Sequence, residues 1–210
     1  MKKRSTAIII TGGLSLAALA MGISPSMAQP ITPLDNATLV PAISQPQTGE
    51  DLNVANSLPR QLAAEFDRST VRVVAQNALG RYSVALDATG QQVCVISQPT
   101  GKSGLVGASC LPKQEFVQRG VSVGVQENGT SVRTTEAYLL PGDVDTAPLR
   151  AMATPSGALT GRDTAHIIVQ TGNTTLPQQV ELGRSNSAVK FQFNTIIRPF
   201  KEGVVSPDIR

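Results

Sequence analysis

The chain has 210 residues, with 18 basic and 15 acidic side chains, no tryptophan, two tyrosines and five phenylalanines. Its whole positive excess comes from Lys2, Lys3 and Arg4, so the remainder is neutral. No Lys/Arg run is left to neutralise phosphates, which excludes nucleic acid as an expected partner, and the length suits one domain with an aliphatic core plus a tail.

Lys2, Lys3 and Arg4 form a basic start, residues 7–23 are apolar apart from small Gly, Ser and Thr, and Pro25 precedes Ser26-Met27-Ala28. This order is that of a signal peptide spanning residues 1–28, cut between Ala28 and Gln29. The alternative is an uncleaved anchor. It is opposed by Pro25, by the small-x-small site and by a stretch at the lower limit for a membrane span. No cysteine near the junction offers a lipid attachment point, and Lys3-Arg4 is not a twin-arginine pair. The expected location is therefore secreted or in the cell envelope, with no membrane span after cleavage. Beyond the leader Arg outnumbers Lys, which suits a bacterial source.

Residues 29–57 hold Pro30, Pro33, Pro41 and Pro46 among Gln, Asn, Thr and Ser, with no sustained period. They are expected to be a Pro-rich flexible linker or tail, from which Ile31, Leu34, Leu39 and Val40 can dock on the domain. A single domain is expected over residues 58–210. Pro59 opens a short helix whose Leu62, Ala63 and Phe66 share one face. Alternating runs then predict strands at TVRVVAQ, RYSVALD and QVCVIS. LPKQEFVQRG, with Pro112 early and Gly120 late, is a helical turn. VSVGVQ and SVRTTEAYLL flank Asn128-Gly129, a hairpin signal. Residues 140–163 are loop-rich, and HIIVQT, QQVEL and AVKFQFNTII close the domain, with Val189, Phe191 and Phe193 pointing one way. The fold class is mainly β (α+β): an antiparallel sheet, sandwich or open barrel with one or two short helices.

Motifs that carry chemistry are few. Gly101-Lys102-Ser103 suggests a phosphate loop, but Ile96 stands where that motif needs its first glycine. His166 is the single histidine, three residues after Asp163, and could serve a Ser–His–Asp hydrolase; yet there is no G-x-S-x-G elbow, and Ser156-Gly157 lacks its frame. Asp143 and Asp145 could meet a calcium ion, although an isolated D-x-D is usually a solvated turn. No spacing suits zinc, and no metal or cofactor is expected. Asn36, Asn128 and Asn173 head glycosylation-type triplets that in a bacterial protein are turn chemistry. Cys94 and Cys110 could in principle form a metal clip, redox pair, catalytic thiol or staple. Outside the cytoplasm an even count favours a disulfide, and a hairpin would bring the two strands side by side.

A helix followed by Val71-Arg72-Val73-Val74 is succeeded by Val93-Cys94-Val95-Ile96 and by a glycine-rich loop into Ala108-Ser109-Cys110. Glu115-Phe116-Val117-Gln118-Arg119-Gly120 and Ala137-Tyr138-Leu139-Leu140-Pro141-Gly142-Asp143-Val144 come after. This succession resembles a group of small exported actinobacterial β-rich domains of unknown function, over residues 58–193. The resemblance implies that their paired cysteines correspond to Cys94 and Cys110, and their Val-Pro-Asp-Gly-like turn to Leu140, Pro141, Gly142 and Asp143. That turn is altered here, and the tryptophan often found before the first cysteine is replaced by Tyr82 or missing. The resemblance implies export, β architecture and the staple, and carries no activity.

The leading expectation is an exported, non-catalytic binding or envelope-associated domain whose partner is an extracellular protein or envelope component. Two alternatives stand beside it: a small secreted hydrolase using His166, and an inhibitor or regulator of an extracellular enzyme that presents the stapled loop, residues 98–108.

Overall fold

The computed structural model describes residues 35–100, 105–127, 133–152, 159–171 and 176–195. The signal-peptide segment with its Ala28–Gln29 junction, the Asn128-Gly129 turn, Gly101-Lys102-Ser103, Ser156 and Asn173 lie outside these residues.

Among the described residues nine strands form antiparallel sheets, so the chain is mainly β, as its alternating runs imply. The first sheet has the order β1 (Arg72–Asn77), β2 (Gly80–Leu86), β3 (Gln92–Pro99), β4 (Gly107–Pro112). After helix α4 (Lys113–Arg119) comes the second sheet, β5 (Val121–Glu127), β6 (Arg133–Leu139), β7 (Ile167–Thr171). A third pair, β8 (Gln179–Leu182) and β9 (Phe191–Asn194), ends the described chain.

Alternation sorts side chains into layers. Tyr82, Val84, Leu86, Val93 and Val95 of the first sheet meet Val121, Val123, Val125, Ala137, Leu139, Ile167 and Val169 of the second in one core. This is a sandwich whose core is mostly aliphatic, with Tyr82 and Phe116 as its aromatic members, which fits a composition without tryptophan. On the outer face of the first sheet, Val71, Val73, Ala85, Cys94 and Ile96 pack against residues of the helical N-terminal layer. On the outer face of the second, Tyr138, Leu140 and Ile168 pack with Leu182, Phe191 and Phe193.

Residues 29–57 were expected to be a linker; from Asp35 on they are structured instead. Helix α1 (Asn36–Leu39), a 3₁₀ turn (Pro41–Ser44) and helix α2 (Gly49–Ser57) cover the sandwich, followed by α3 (Arg60–Ala63). Leu39, Val40, Ala42, Val54 and Ala55 are buried, so Leu39 and Val40 do dock as their character suggests. A nine-residue helix does not persist alone in water. Here Thr48 and Asp51 form a capping box at its start, and Val54, Ala55 and the following Leu58 go into the core. Burial of that kind contributes about 1.5–3 kcal/mol per large aliphatic side chain, which outweighs weak helix propensity. The turn at Pro141-Gly142 locks the segment down: Gly142 N–H donates to the Leu39 carbonyl at 3.0 Å. A Cβ on Gly142 would stand 2.6 Å from the Thr38 carbonyl oxygen, so only glycine fits there.

Two smaller expectations also change. Residues 140–163 contain helix α5 (Ala147–Met152), where Asp145 accepts from the Ala147 N–H at 3.0 Å. Strand β9 begins only at Phe191, and Val189, expected to share the face of Phe191 and Phe193, is 62% exposed while those two are buried. By contrast α4 follows Pro112 and stops at Gly120 as expected, and the positive φ of 65° there is one that favours glycine.

A candidate binding edge beside the disulfide

Cys94 and Cys110 are bonded to each other and sit directly opposite on β3 and β4, with Cα atoms 4.0 Å apart. So short a separation marks a non-hydrogen-bonded antiparallel pair. The neighbouring register agrees, because Lys113 N–H donates to the Gln91 carbonyl at 3.1 Å, three positions beyond Cys110. Bonding to β3 therefore falls to Gly107, Ser109 and Leu111. The N–H and C=O groups of Ala108 and Cys110 point away from β3, on the side where no further described strand continues the sheet. No described group hydrogen-bonds to them, and every residue of β4 is at least partly exposed.

Each face of β4 is hollowed. On the outer side a cavity of about 280 Å³ is floored by Leu62, Phe66, Ala108 and Cys110 and rimmed by Glu65, Asp87, Thr89 and Gln92. On the other side Ser109 and Leu111 border a cavity of about 270 Å³ with Arg119, Val121, Ser122 and Phe193. The outer rim is anionic. Burial works against the Asp87 charge, but the Thr89 hydroxyl and the Gln91 and Gln92 N–H groups outweigh it and hold the carboxyl below its ordinary value. Among the described residues neither Glu65 nor Asp87 has a basic partner within ion-pair distance, whereas Arg119 is paired with Glu115 at 2.6 Å.

No family model matches this chain, and no curated protein or solved structure matches it either. Its chemistry must be taken from its own residues.

The other singled-out residues are engaged elsewhere. Asp143, the calcium candidate, makes a two-pronged ion pair with Arg184, Nε to Oδ2 at 2.7 Å and Nη2 to Oδ1 at 2.8 Å. Its would-be partner Asp145 caps α5. Among the described residues no three of His, Cys, Asp and Glu gather as a metal site would need. Asn36 opens α1 and is exposed. No described helix is long and apolar enough to cross a membrane.

Asp163 and His166 do come together, in the strap that runs from Thr160 into β7. His166 Nε2 lies 4.0 Å from Asp163 Oδ1, and His166 Nδ1 and Asp163 Oδ2 are buried without hydrogen-bond partners. The strap closes the β1 edge: Gln76 and Thr160 exchange backbone hydrogen bonds, and Asp163 N–H donates to Val74. It also grips the N-terminal layer. Arg162 donates to the Pro46 carbonyl, the Thr48 hydroxyl and Asp51 Oδ2, the last at 2.7 Å, and the Asp163 carboxylate accepts from Ala42 N–H. Sequence reasoning missed Asp51 and Arg162, which stand 111 residues apart and are joined only by the fold.

Asp51 and Asp163, both buried, are shifted in opposite directions. Burial opposes the Asp51 charge, yet N–H groups of Thr48 and Val73, the Thr48 hydroxyl and Arg162 overcome it and lower the carboxyl. For Asp163 burial dominates and raises the carboxyl, with His166 and the Ala42 and His166 N–H groups only partly offsetting it. Asp51 therefore stabilises the fold above the ordinary aspartate value of about 3.8, and that contribution is lost as pH falls below it. Folded Asp163 holds its proton above that value while the unfolded chain releases it, so stability falls as pH rises through the window above about 3.8. Asp163→Asn keeps an acceptor for Ala42 and cannot ionise. Urea unfolding between pH 4 and 6 should show a wild-type loss of stability with rising pH that the variant lacks; equal slopes would refute the assignment.

Proposed function

We propose that this chain is an exported, non-catalytic binding domain that acts outside the cytoplasm, in the medium or at the cell envelope, and binds a protein or envelope component along the β4 edge. One observation carries the reading: an end strand without a single charged residue, stapled to its neighbour, with outward backbone groups that no described group pairs and a cavity on each face. Proteins usually guard such edges with charge, proline or a bulge, and from Gly107 to Leu111 β4 has none of these. Export is supported by the basic and apolar leader and by a disulfide, which persists where thiols are not kept reduced. A structural part for Asp163 and His166 is supported by their place in the strap, packed toward Ala42 and Val74 rather than beside the open edge.

The test is photo-crosslinking in intact cells with benzoylphenylalanine placed at Leu105, which is 43% exposed just before β4, or at Leu52, 48% exposed on α2. Protein recovered outside the cytoplasm should begin at Gln29 and carry adducts from position 105 in clear excess over 52, with the same yield in a His166→Ala background. Full-length chain in the cytosol would overturn export. Equal adducts from both positions would overturn the edge, and loss of biological effect in folded His166→Ala would favour the hydrolase.

A further inference from the structure

Resting on that reading, we infer that the β4 edge takes an extended peptide as an added strand, and that the peptide places a lysine or arginine opposite Cys110. The backbone sets the register. A strand bonded to the outward N–H and C=O groups of Ala108 and Cys110 must put the residue facing Cys110 on the same side of the sheet as the Cys110 side chain. That side is the outer cavity, with Leu62 and Phe66 at its floor and Glu65 and Asp87 at its rim. An aliphatic stem ending in a cation matches both features, covering the apolar floor while the charge meets two carboxylates that lack a described basic partner.

The residues before and after it fall on the opposite face, beside Leu111 and the paired Arg119, where aliphatic side chains suit the lining. Main-chain bonds supply the common part of the affinity and the two cavities the preference, as in other strand-addition modes. A second copy of this chain fits less well. Two β4 strands pairing about a two-fold axis normal to the sheet would bring two sets of Glu65 and Asp87 together on one face, like charge against like.

Terminally blocked synthetic peptides of alternating valine and threonine with one central residue, measured by fluorescence anisotropy, test this. Central lysine should bind at least about tenfold tighter than central glutamate, and Glu65→Arg should abolish or reverse that preference. Ala108→Pro deletes only an outward N–H, a substitution tolerated on edge strands, and should weaken binding about tenfold or more at unchanged melting temperature. Independently of any protein variant, for a peptide added antiparallel to β4, N-methylation of the central lysine, whose N–H then faces the Cys110 carbonyl, should cost about tenfold, and N-methylation of its neighbour little.

Binding that survives both Ala108→Pro and central N-methylation would overturn the strand-addition proposal. So would a wild-type dimer that Ala108→Pro makes monomeric, in favour of self-pairing. Failure of every peptide to bind wild-type protein while Leu105 adducts still form would reject this occupant and leave the binding domain standing; failure of both would reject the two together.

Discussion

Arg184→Met should lower stability by about 3–5 kcal/mol, because it strands a carboxylate that has no route back to water. Asp143 and Arg184 side chains are 1% and 5% exposed, so solvent screens little of the loss. Arg184 does more than neutralise Asp143. It donates through Nη1 to the Val117 carbonyl at 2.9 Å, and its guanidinium lies 5.9 Å from the centre of the Phe191 ring. Three parts of the chain meet at this one side chain: α4, the Pro141-Gly142 turn, and the connection from β8 into β9. Around the pair, Asp145 N–H donates to Gly183 and Ser185 N–H to the Asp143 carbonyl, so the backbone holds both residues in place.

The double variant Asp143→Leu/Arg184→Met should recover most of the loss, since an apolar pair removes both desolvation costs at once. In thermal terms the single variant should melt roughly 6–20 °C lower, at about 2–4 °C per kcal/mol for a domain of this size. A fall of less than about 1 kcal/mol in the single variant, or a double variant as unstable as the sum, would show that the pair is not held as described.

Much of the fold was legible wherever local chemistry decides it. Val93, Val95 and Cys94, Ile96 separate onto two faces by simple alternation, and Pro112 with Gly120 brackets α4. The staple was legible because two cysteines in an oxidising setting allow one pairing. The N-terminal layer was not. Val54, Ala55 and Leu58 are too few to set a helical period, and the prolines around them resemble those of a linker; only the sandwich surface beneath gives α2 its place. Asp143 looked like a solvated turn because its partner is 41 residues away, and Arg162 drew no notice because its partner Asp51 is 111 residues away. The edge could not be seen either. QVCVIS and the piece ending at Cys110 are both apolar, and which of them ends the sheet is a property of strand order.

Reduction of the Cys94–Cys110 bond should be the other large effect, and it should act on stability and on the edge together. The bond closes a loop with a sequence separation of 16 residues. Loop-closure entropy for that length corresponds to about 3 kcal/mol lost on opening it. With about 2–4 °C per kcal/mol, the reduced protein and Cys94→Ala/Cys110→Ala should both melt roughly 6–12 °C lower.

The two sulfurs are not equivalent. Cys94 is fully buried beneath the N-terminal layer, while Cys110 is partly exposed and lines the outer cavity, so an attacking thiolate reaches Cys110 and Cys94 leaves. That cavity carries the Glu65 and Asp87 carboxylates, which repel an anionic thiol. Glutathione, whose thiolate form carries further net negative charge, should therefore reduce the bond more slowly than 2-mercaptoethanol at equal thiolate concentration, and Glu65→Gln should narrow the difference. Because β3 is the one described strand that β4 bonds to, losing the staple also loosens the strand that presents Ala108 and Cys110. Hydrogen exchange of β4 amides should rise in the double-alanine variant well before those of β2, which is bonded on both sides. Peptide binding should weaken in the same variant at temperatures where the sandwich remains folded. Equal exchange on β2 and β4, or a melting temperature unmoved by the double substitution, would reduce the disulfide to an ornament of the edge rather than its support.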